Sequence, residues 1–310
     1  MWTTQVFRSL SRASVGLNRM GIGRLSVFRP LKLSAKRILL RALTEDGTFK
    51  IDVDGSRLYI FPETWDFHAY VDRPFEPYTV ELFKCAIKPG SRVLDIGAQF
   101  GYYSLLAAKR TGCDGKVYAF EPAPVNFKLL ERNIQANGYG NIIHAVQKGV
   151  GERHTTASLF LYEGSDSHGM YRHPNASVKG TVLFECVTID DFIHGERVDV
   201  IKMDIEGNEP YALKGMERTV SENDRLIMFA ELAPANLRGA GVEPESYLAQ
   251  LENLGFDIKL IDENTSSLKP VTRDLLREAG QDSCWYANLY CVKAAKDSGT
   301  RYESRSGLPH

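Results

Sequence analysis

The chain has 310 residues, of which 43% are hydrophobic and 25% charged, and its formal net charge at pH 7 is −1. This composition allows a full hydrophobic core, as one large domain with extensions or as two domains, and it excludes a disordered chain. The five cysteines include no C-x-x-C pair, which argues against a disulfide framework or a zinc site and indicates a reducing compartment.

Positive charge is concentrated in the N-terminal arm, because residues 1–44 contain nine Lys or Arg and no Asp or Glu. The rest of the chain has 29 bases and 39 acids, a charge of −10, which argues against general nucleic-acid binding. Three interpretations of the arm, with bounds set at 1–46, stay open: a helix or loose arm on the protein's own body, contact with a membrane surface, and an organellar transit peptide. No apolar run reaches the ~18 residues of a membrane span, so we expect a cytoplasmic protein, with peripheral membrane attachment as the alternative.

A lead-in segment over residues 47–90 precedes the main domain. Its alternating apolar and polar residues around Asp54-Gly55 predict a hairpin over 48–62, because this pair favours a two-residue turn. A helix is predicted to follow over 78–88.

Strands and helices then alternate through a domain predicted over 91–294. In chain order we predict strand 93–96, helix 102–110, strand 116–121, helix 124–137, strand 142–147, alternating segments 156–162 and 182–189 around a polar loop, strand 198–203, helix 208–220, strand 225–231, helix 244–254, strand 256–261 and strand 284–293. This order predicts a Rossmann-like α/β fold with a mostly parallel seven-stranded sheet, an antiparallel edge strand and helices on both faces. The polar tail 295–310 is predicted to be disordered.

A glycine turn, Gly97-Ala98-Gln99-Phe100-Gly101, follows the first strand of this sheet. Ligands bind beyond the carboxyl ends of parallel strands, and glycines there let a ligand approach the backbone closely. Glu121 ends the next strand, where two carboxylate oxygens can accept both hydroxyl protons of a ribose. The glycine turn and Glu121 together predict an adenosine site. Ala98 and Gln99 stand where a dinucleotide fingerprint needs its middle glycine, which argues against a nucleotide-dependent oxidoreductase.

Acidic side chains accumulate after two later strands of the sheet. Asp204, Glu206 and Glu209 follow one predicted strand, and Glu231 closes the next. Because four acids at one edge repel each other unless they bind something, this cluster favours a functional role. For Glu209, a structural role near a helix N-terminus is the alternative.

Three further segments occur in a fixed order along the chain: Thr188-Ile189-Asp190-Asp191, then Lys202-Met203-Asp204-Ile205-Glu206-Gly207-Asn208-Glu209, then Leu213-Lys214-Gly215. Together with the turn from Asp95 to Gly101, they resemble the FkbM-type family of S-adenosylmethionine-dependent class I methyltransferases. The resemblance covers roughly residues 75–260. It implies the class I methyltransferase fold, S-adenosyl-L-methionine as cofactor, and O-methylation of a hydroxyl on a sugar, a glycolipid or another small molecule.

The motifs and the resemblance together predict the site residues. The predicted cofactor residues are Asp95, Gly97, Ala98, Gln99, Gly101, Glu121, Pro122 and Glu152. Two of them depart from the family pattern, since Gln99 replaces its usual asparagine and Glu152 stands in for the acid that commonly follows leucine-glycine. The predicted catalytic residues are Asp204, Glu206 and Glu209, and the predicted substrate-binding residues are His168, Tyr171 and Glu231.

Transfer to a hydroxyl needs alignment of the acceptor and removal of its proton. Asp204 is favoured as the base, and Glu206, Glu209, His168 and His173 are the alternatives.

Lys202 is predicted to point to the opposite face of its strand and to pair with a carboxylate. Transfer without a metal is the default interpretation, and a divalent cation held by Asp204, Glu206 or Glu231 is the alternative.

The predicted partner is a small-molecule or glycan acceptor, contacted by segments 62–78 and 160–182 over the mouth of the site. Nucleic acid is not expected, because the Asn/Asp-Pro-Pro-aromatic tetrapeptide that would hold a flipped base is absent. A non-catalytic binding module on the same fold is the alternative function, and the intact motif residues argue against it.

Overall fold

The computed structural model describes residues 46–62, 70, 75–162, 168–171, 177–280 and 282–293. The predictions for the basic arm, for His173 and for the C-terminal tail lie outside these residues. Among the helices that are described, none is long and apolar enough to cross a membrane.

The described elements follow one another in an α/β order. They are β1 (Phe49–Val53), β2 (Ser56–Ile60), α1 (Pro77–Ala86), β3 (Arg92–Ile96), α2 (Tyr102–Thr111), β4 (Lys116–Phe120), α3 (Pro124–Asn137), β5 (Ile143–Val146), β6 (Gly149–Val150), β7 (Thr155–Tyr162), β8 (Val178–Val187), α4 (Ile189–Ile193), β9 (Val200–Met203), α5 (Glu209–Lys214), α6 (Glu217–Glu222), β10 (Ile227–Leu232), α7 (Pro234–Gly239), α8 (Pro244–Asn253), β11 (Phe256–Asp262), β12 (Ser267–Pro270), α9 (Arg273–Ala279) and β13 (Ala287–Lys293).

An eight-stranded sheet in the order β12-β11-β13-β10-β9-β3-β4-β5 forms the centre of the fold. Strands β10, β9, β3, β4 and β5 are parallel to one another, which confirms the predicted Rossmann-like class. The predicted number of strands is wrong, since the short polar strand β12 pairs with β11 and brings the sheet to eight. β12 is the antiparallel edge strand, and a further antiparallel strand, β13, lies inside the sheet between β10 and β11.

Both faces of the sheet are covered, because neighbouring residues of each central strand point to opposite sides. Val93 and Val200 belong to the core on one face, which also receives side chains from α1, α2 and α3. Leu94 and Ile201 belong to the core on the other face, against α5, α6 and α8. The central strands therefore consist of continuous apolar runs, and polar chemistry is left to their ends.

The hairpin β1–β2 is fixed to α3 by two asparagines. Asn133 accepts a hydrogen bond from the backbone N–H of Tyr59 and donates to its carbonyl, at 2.8 and 3.0 Å. Asn137 makes the same pair of bonds with Arg57, at 2.8 and 2.7 Å. Asn133 also donates to the carbonyl of Phe100, so the hairpin is joined directly to the glycine turn after β3.

The helix predicted over 208–220 is two helices, α5 and α6, with a break at Gly215. A Cβ at Gly215 would lie 2.0 Å from the carbonyl oxygen of Gly151, so only glycine fits this contact. The predicted segments 156–162 and 182–189 are β7 and β8, which form a separate three-stranded sheet with β6.

Glu263, which follows β11, holds the N-terminus of α1. Its carboxylate accepts hydrogen bonds from the backbone N–H groups of Tyr78 and Thr79, at 2.9 and 2.8 Å, and from the Thr79 hydroxyl at 2.6 Å. The N–H groups in the first turn of a helix have no acceptor within the helix, and a negative charge near them stabilises the helix N-terminus.

We therefore expect Glu263→Ala to lower the free energy of unfolding by about 1–3 kcal/mol, because it leaves these N–H groups without an acceptor. Urea denaturation followed by circular dichroism measures the change. The matched control is Glu252→Ala, an exposed glutamate on α8, which should change stability by less than about 0.5 kcal/mol. Equal stability of the two variants would contradict the assigned role of Glu263.

Candidate active site

A cavity of about 880 Å³ lies beyond the carboxyl ends of β3, β4, β9 and β10. Its wall on the β3–β4 side includes Asp95, Gly97, Ala98, Gln99, Glu121 and Pro122. Its wall on the β9–β10 side includes Asp204, Glu206 and Glu231, with His168 and Tyr171 from the loop after β7. The structure thus brings together most of the residues predicted from sequence, and it places Gly101, Glu152 and Glu209 outside the wall.

The glycine turn after β3 is shaped by contacts within the protein. Gly97 has φ +85°, and a Cβ there would lie 1.9 Å from the carbonyl oxygen of Asp204. From the sequence, we predicted that a glycine is needed here because a ligand approaches the backbone. In the structure, the atom that leaves no room for a side chain is the carbonyl oxygen of Asp204, after β9. Gly101, at φ +95°, allows α2 to pack against Leu130 of α3, whose side chain would lie 2.7 Å from an added Cβ.

Asp95 supports the turn from below. It is 2% exposed and accepts a hydrogen bond of 2.5 Å from the hydroxyl of Ser104 in α2. Burial raises the pKa of Asp95 to about 6, although the Ser104 hydrogen bond and the charge of Lys202 act in the opposite direction. Asp95 is the penultimate residue of β3, and its hydrogen bond to Ser104 connects the strand to the first turn of α2.

Glu121 has the surroundings of a carboxylate that binds a donor. One oxygen accepts from the backbone N–H of Gln99 at 2.9 Å and the other from that of Ala123 at 2.8 Å, with a further side-chain hydrogen bond from Asn126. Burial nevertheless dominates and raises the pKa of Glu121 to about 7. A carboxylate has about four lone-pair directions, so Glu121 retains capacity for another donor from the cavity.

Asp204 belongs to the β9–β10 wall of the cavity, directly after β9, and its side chain is 37% exposed. Its Oδ2 accepts a hydrogen bond of 3.1 Å from the ammonium of Lys202, which is 1% exposed. The prediction that Lys202 pairs with a carboxylate is confirmed. The predicted direction is wrong, since residues two apart in a strand project to the same face.

The buried ammonium of Lys202 is held by several elements at once. It donates to Asn288 of β13 at 3.2 Å and lies 5.1 Å from the ring centre of Tyr103. Burial alone would lower the pKa of Lys202, but the charges of Asp204 and Glu76 and the hydrogen bond to Asp204 outweigh it and raise the pKa.

Glu76, just before α1, completes this network. It accepts hydrogen bonds from the Tyr103 hydroxyl at 2.5 Å and from the Asn288 amide at 2.8 Å. Desolvation raises its pKa, opposed by the charge of Lys202. Sequence reasoning missed Glu76, Tyr103 and Asn288 as site residues. An asparagine inside the apolar strand β13 was the one local signal that pointed to a buried polar contact.

The two other predicted catalytic acids have different environments. Glu206, at φ +55°, lines the cavity and accepts a hydrogen bond of 2.7 Å from Asn236. Glu209 is 1% exposed and accepts a hydrogen bond of 2.8 Å from the backbone N–H of Ile205, and burial raises its pKa to about 7. Glu209 therefore shapes the loop after β9.

Glu152 lies away from the cavity, where it pairs with Lys214 at 3.3 Å and with Arg153 at 3.7 Å. The cavity wall next to it is formed by Lys148, Gly149 and Val150. The contact with the cofactor that was predicted for Glu152 therefore has no support in this geometry.

The loop after β7 contributes the two remaining predicted residues. His168 accepts a 3.5 Å hydrogen bond at Nδ1 from the backbone N–H of Tyr162, and Gly169 bridges to Phe160. The ring of Tyr171 lies 6.5 Å from that of Tyr211, centre to centre. These contacts place the described part of the loop over the β9 side of the cavity.

The fold and this cavity define a class I methyltransferase of Rossmann-like architecture. A model of the methyltransferase FkbM domain matches residues 95–258, and the chain belongs to this family. It is a methyltransferase that depends on S-adenosylmethionine.

Several known proteins are similar to the chain. Methyltransferase sdnD of Sordaria araneosa is 26% identical over 235 residues, which cover 64% of this chain and 82% of that protein. Protein-L-isoaspartate O-methyltransferase 1 of Archaeoglobus fulgidus is 32% identical over 100 residues, 28% of this chain and 46% of that one. Among solved structures, a SAM-dependent O-methyltransferase of Thermotoga maritima aligns with 84% of this chain, and the alignment includes 83% of that protein. The sequence identity is 14% and the TM-score is 0.40.

The pKa of Glu121 gives a testable pH dependence of cofactor binding. Hydroxyl donors from a ribose favour the ionised carboxylate, so binding should lower the pKa from about 7 and release a proton. The Kd for S-adenosylhomocysteine should therefore increase by up to about tenfold for each pH unit below pH 7 and stay level above it.

Isothermal titration between pH 5.5 and 8.5 measures this dependence, with Glu121→Gln as the test variant. In this variant, the NH₂ group of the glutamine replaces one carboxylate oxygen and faces a backbone N–H group, where it cannot accept a hydrogen bond. We therefore expect S-adenosylhomocysteine to bind about 10- to 100-fold more weakly at pH 8, with a flatter pH profile. Glu131→Gln, an exposed glutamate on α3, is the control and should match the unchanged protein. A pH profile that persists in Glu121→Gln would assign the proton to another group.

Proposed function

We propose that the chain transfers the methyl group to a hydroxyl oxygen of a small-molecule or glycan acceptor, with Asp204 as the general base. The observation that carries this proposal is the position of Asp204. Its carboxylate lies in the cavity, directly after β9, and its backbone carbonyl touches the glycine turn of the cofactor side.

The residues of the β3–β4 wall fit S-adenosylmethionine. Glu121 offers a buried acceptor to the ribose hydroxyls, and Gly97 to Gln99 give a turn without bulky side chains beside it. The glycine turn before α2 lacks the middle glycine that would admit a pyrophosphate to the helix N-terminus, which agrees with a cofactor that has no phosphate. When bound, the cofactor supplies an electrophilic methyl group on a positively charged sulfur.

One carboxylate oxygen of Asp204 accepts a hydrogen bond from the protein, and the other can accept the proton of the substrate. Its Oδ2 accepts from Lys202, which fixes the side chain, and Oδ1 is then placed to take the proton of an acceptor hydroxyl. The Lys202 ammonium is itself almost fully buried, so it holds this carboxylate in a defined position. Glu209 is a weaker candidate, since its carboxylate is buried and bonded to the backbone of its own loop.

The choice of oxygen as the acceptor atom is supported by the name of one similar protein, since the relative in Archaeoglobus fulgidus is named an O-methyltransferase. A nucleic-acid acceptor is disfavoured by the carboxylates of the cavity wall, since phosphates need positive charge.

We expect Asp204→Asn to lower kcat by about 10²- to 10⁴-fold, because it removes the proton acceptor but keeps the shape of the side chain. The Kd for S-adenosylhomocysteine should change by less than about threefold. The assay follows transfer of a labelled methyl group to a panel of methyl glycosides and simple phenols, and mass spectrometry identifies the ether formed.

The control is Asp257→Asn, an exposed residue of β11 that pairs with Lys259. It should have the kcat of the unchanged protein. A normal kcat for Asp204→Asn would exclude Asp204 as the base. Binding of S-adenosylhomocysteine without transfer to any hydroxyl of the panel would favour a non-catalytic binding module.

A further inference from the structure

Glu231 presents a buried carboxylate to the cavity that nothing in the proposed mechanism uses. The residue is 8% exposed and belongs to the cavity wall. Its Oε2 has no hydrogen-bond partner among the residues that the structure describes. A buried polar atom left without a partner is unfavourable, so this carboxylate would be stabilised by a bound group of the opposite charge.

Glu231 lies on the acceptor side of the cavity. In the sheet, it stands beside Asn288 of β13, while β10 pairs with β9 and β9 with β3. Two strand spacings, about 10 Å, therefore separate its strand from the one that leads into the cofactor turn. Asp204 directly follows β9, the strand between them. A group bound at Glu231 would belong to the acceptor, next to the proposed base.

The charge around Glu231 is negative. Burial is the largest cause that raises its pKa, followed by the charges of Asp204, Glu206 and Glu209, with Lys202 acting in the opposite direction. A positive charge bound at this position would relieve both the burial cost and the repulsion.

The two lysines that line the described part of the cavity are engaged elsewhere. The ammonium of Lys202 donates to Asp204 and Asn288, at 3.1 and 3.2 Å. Lys148 pairs with Glu185 at 2.7 Å. Neither is bonded to the Glu231 carboxylate, so a cation from the ligand has a place to bind.

The surroundings suit an organic cation better than a metal ion. Trp285 and Tyr286 line the cavity, and the charge of Glu231 contributes to the raised pKa of Tyr286, after burial and the charge of Glu76. Aromatic faces attract ammonium groups, whereas hard metal ions need several converging oxygen ligands. Within the described residues, no group of three or more His, Cys, Asp or Glu side chains could hold a metal ion.

We propose that the acceptor carries a protonated amine that binds the carboxylate of Glu231, in addition to the hydroxyl that receives the methyl group. This inference rests on the proposed function and narrows its substrate class to amino alcohols, amino sugars included. The ammonium binds the carboxylate of Glu231 from the cavity, and the hydroxyl of the same molecule faces Asp204. Glu231 thus determines specificity and takes no part in the transfer of the proton.

The test compares two probes of the same size, trans-2-aminocyclohexanol and trans-1,2-cyclohexanediol. Both are titrated calorimetrically into protein saturated with S-adenosylhomocysteine at pH 7. The amine should bind at least about tenfold more tightly than the diol, as expected for one charge-assisted contact in a buried site. Titrations in buffers of different ionisation enthalpy should also show that binding of the amine releases a proton, because an adjacent ammonium ionises Glu231.

Glu231→Gln should remove both the preference for the amine and the release of the proton, while its affinity for S-adenosylhomocysteine shows that the fold is intact. The control is Glu278→Gln, an exposed glutamate on α9, which should keep both. Equal binding of the two probes, failure of both to bind at about 10 mM, or a preference that survives Glu231→Gln would overturn the inference. Binding of Mg²⁺ that Glu231→Gln abolishes, without an effect on the amine, would replace the ammonium by a metal ion.

The two proposals fail separately. Methyl transfer to neutral hydroxyl acceptors with no preference for amines would overturn the role of Glu231 and leave the proposed function in place. Normal binding of the amine without methyl transfer to any hydroxyl would overturn the proposed function and leave Glu231 as a binding residue for an ammonium group.

Discussion

The buried ammonium of Lys202 is the charge around which the carboxyl edge of the sheet is organised. It is almost fully withdrawn from water, and it donates hydrogen bonds to Asp204 and Asn288. Asn288 in turn donates to Glu76, which accepts from the hydroxyl of Tyr103. One positive charge thus connects β9, β13, α2 and the segment before α1. Removing it would leave buried carboxylates without compensation, which is far less favourable than an apolar core.

The cofactor side of the site could be predicted from the sequence because its parts are local. The glycine turn is contiguous with its strand, and Glu121 comes 20 residues after Gly101, at the end of the next strand. Strand, turn and helix then place both motifs at one edge without any long-range information. The prediction for Glu152 had no such support, and the structure pairs this side chain with Lys214 at the surface.

The acceptor side could be predicted only in part, because it is assembled by long-range contacts. Glu76 and Asn288 are 212 residues apart in the chain and touch through a 2.8 Å hydrogen bond that no periodicity reveals. The same limit applies to the sheet. The alternation of strands and helices predicted the parallel centre, but the insertion of β13 between β10 and β11 depends on pairing between distant strands. Strand β12 is short and mostly exposed, so it has no apolar face that would have predicted it.

The contact between Gly97 and the carbonyl of Asp204 links the two sides of the cavity. It fixes the turn that receives the cofactor against the loop that carries the proposed base, with no side chain between them. Methyl transfer is in-line, and its rate depends on how well two reactants are held in alignment. Gly97 is required by packing within the protein, and through this contact it also helps to align the cofactor with the proposed base. Asp204 directly follows Met203, which pairs with Ala230 of β10, and Glu231 directly follows Ala230. The contact therefore also fixes the position of the cofactor turn relative to the unpartnered carboxylate.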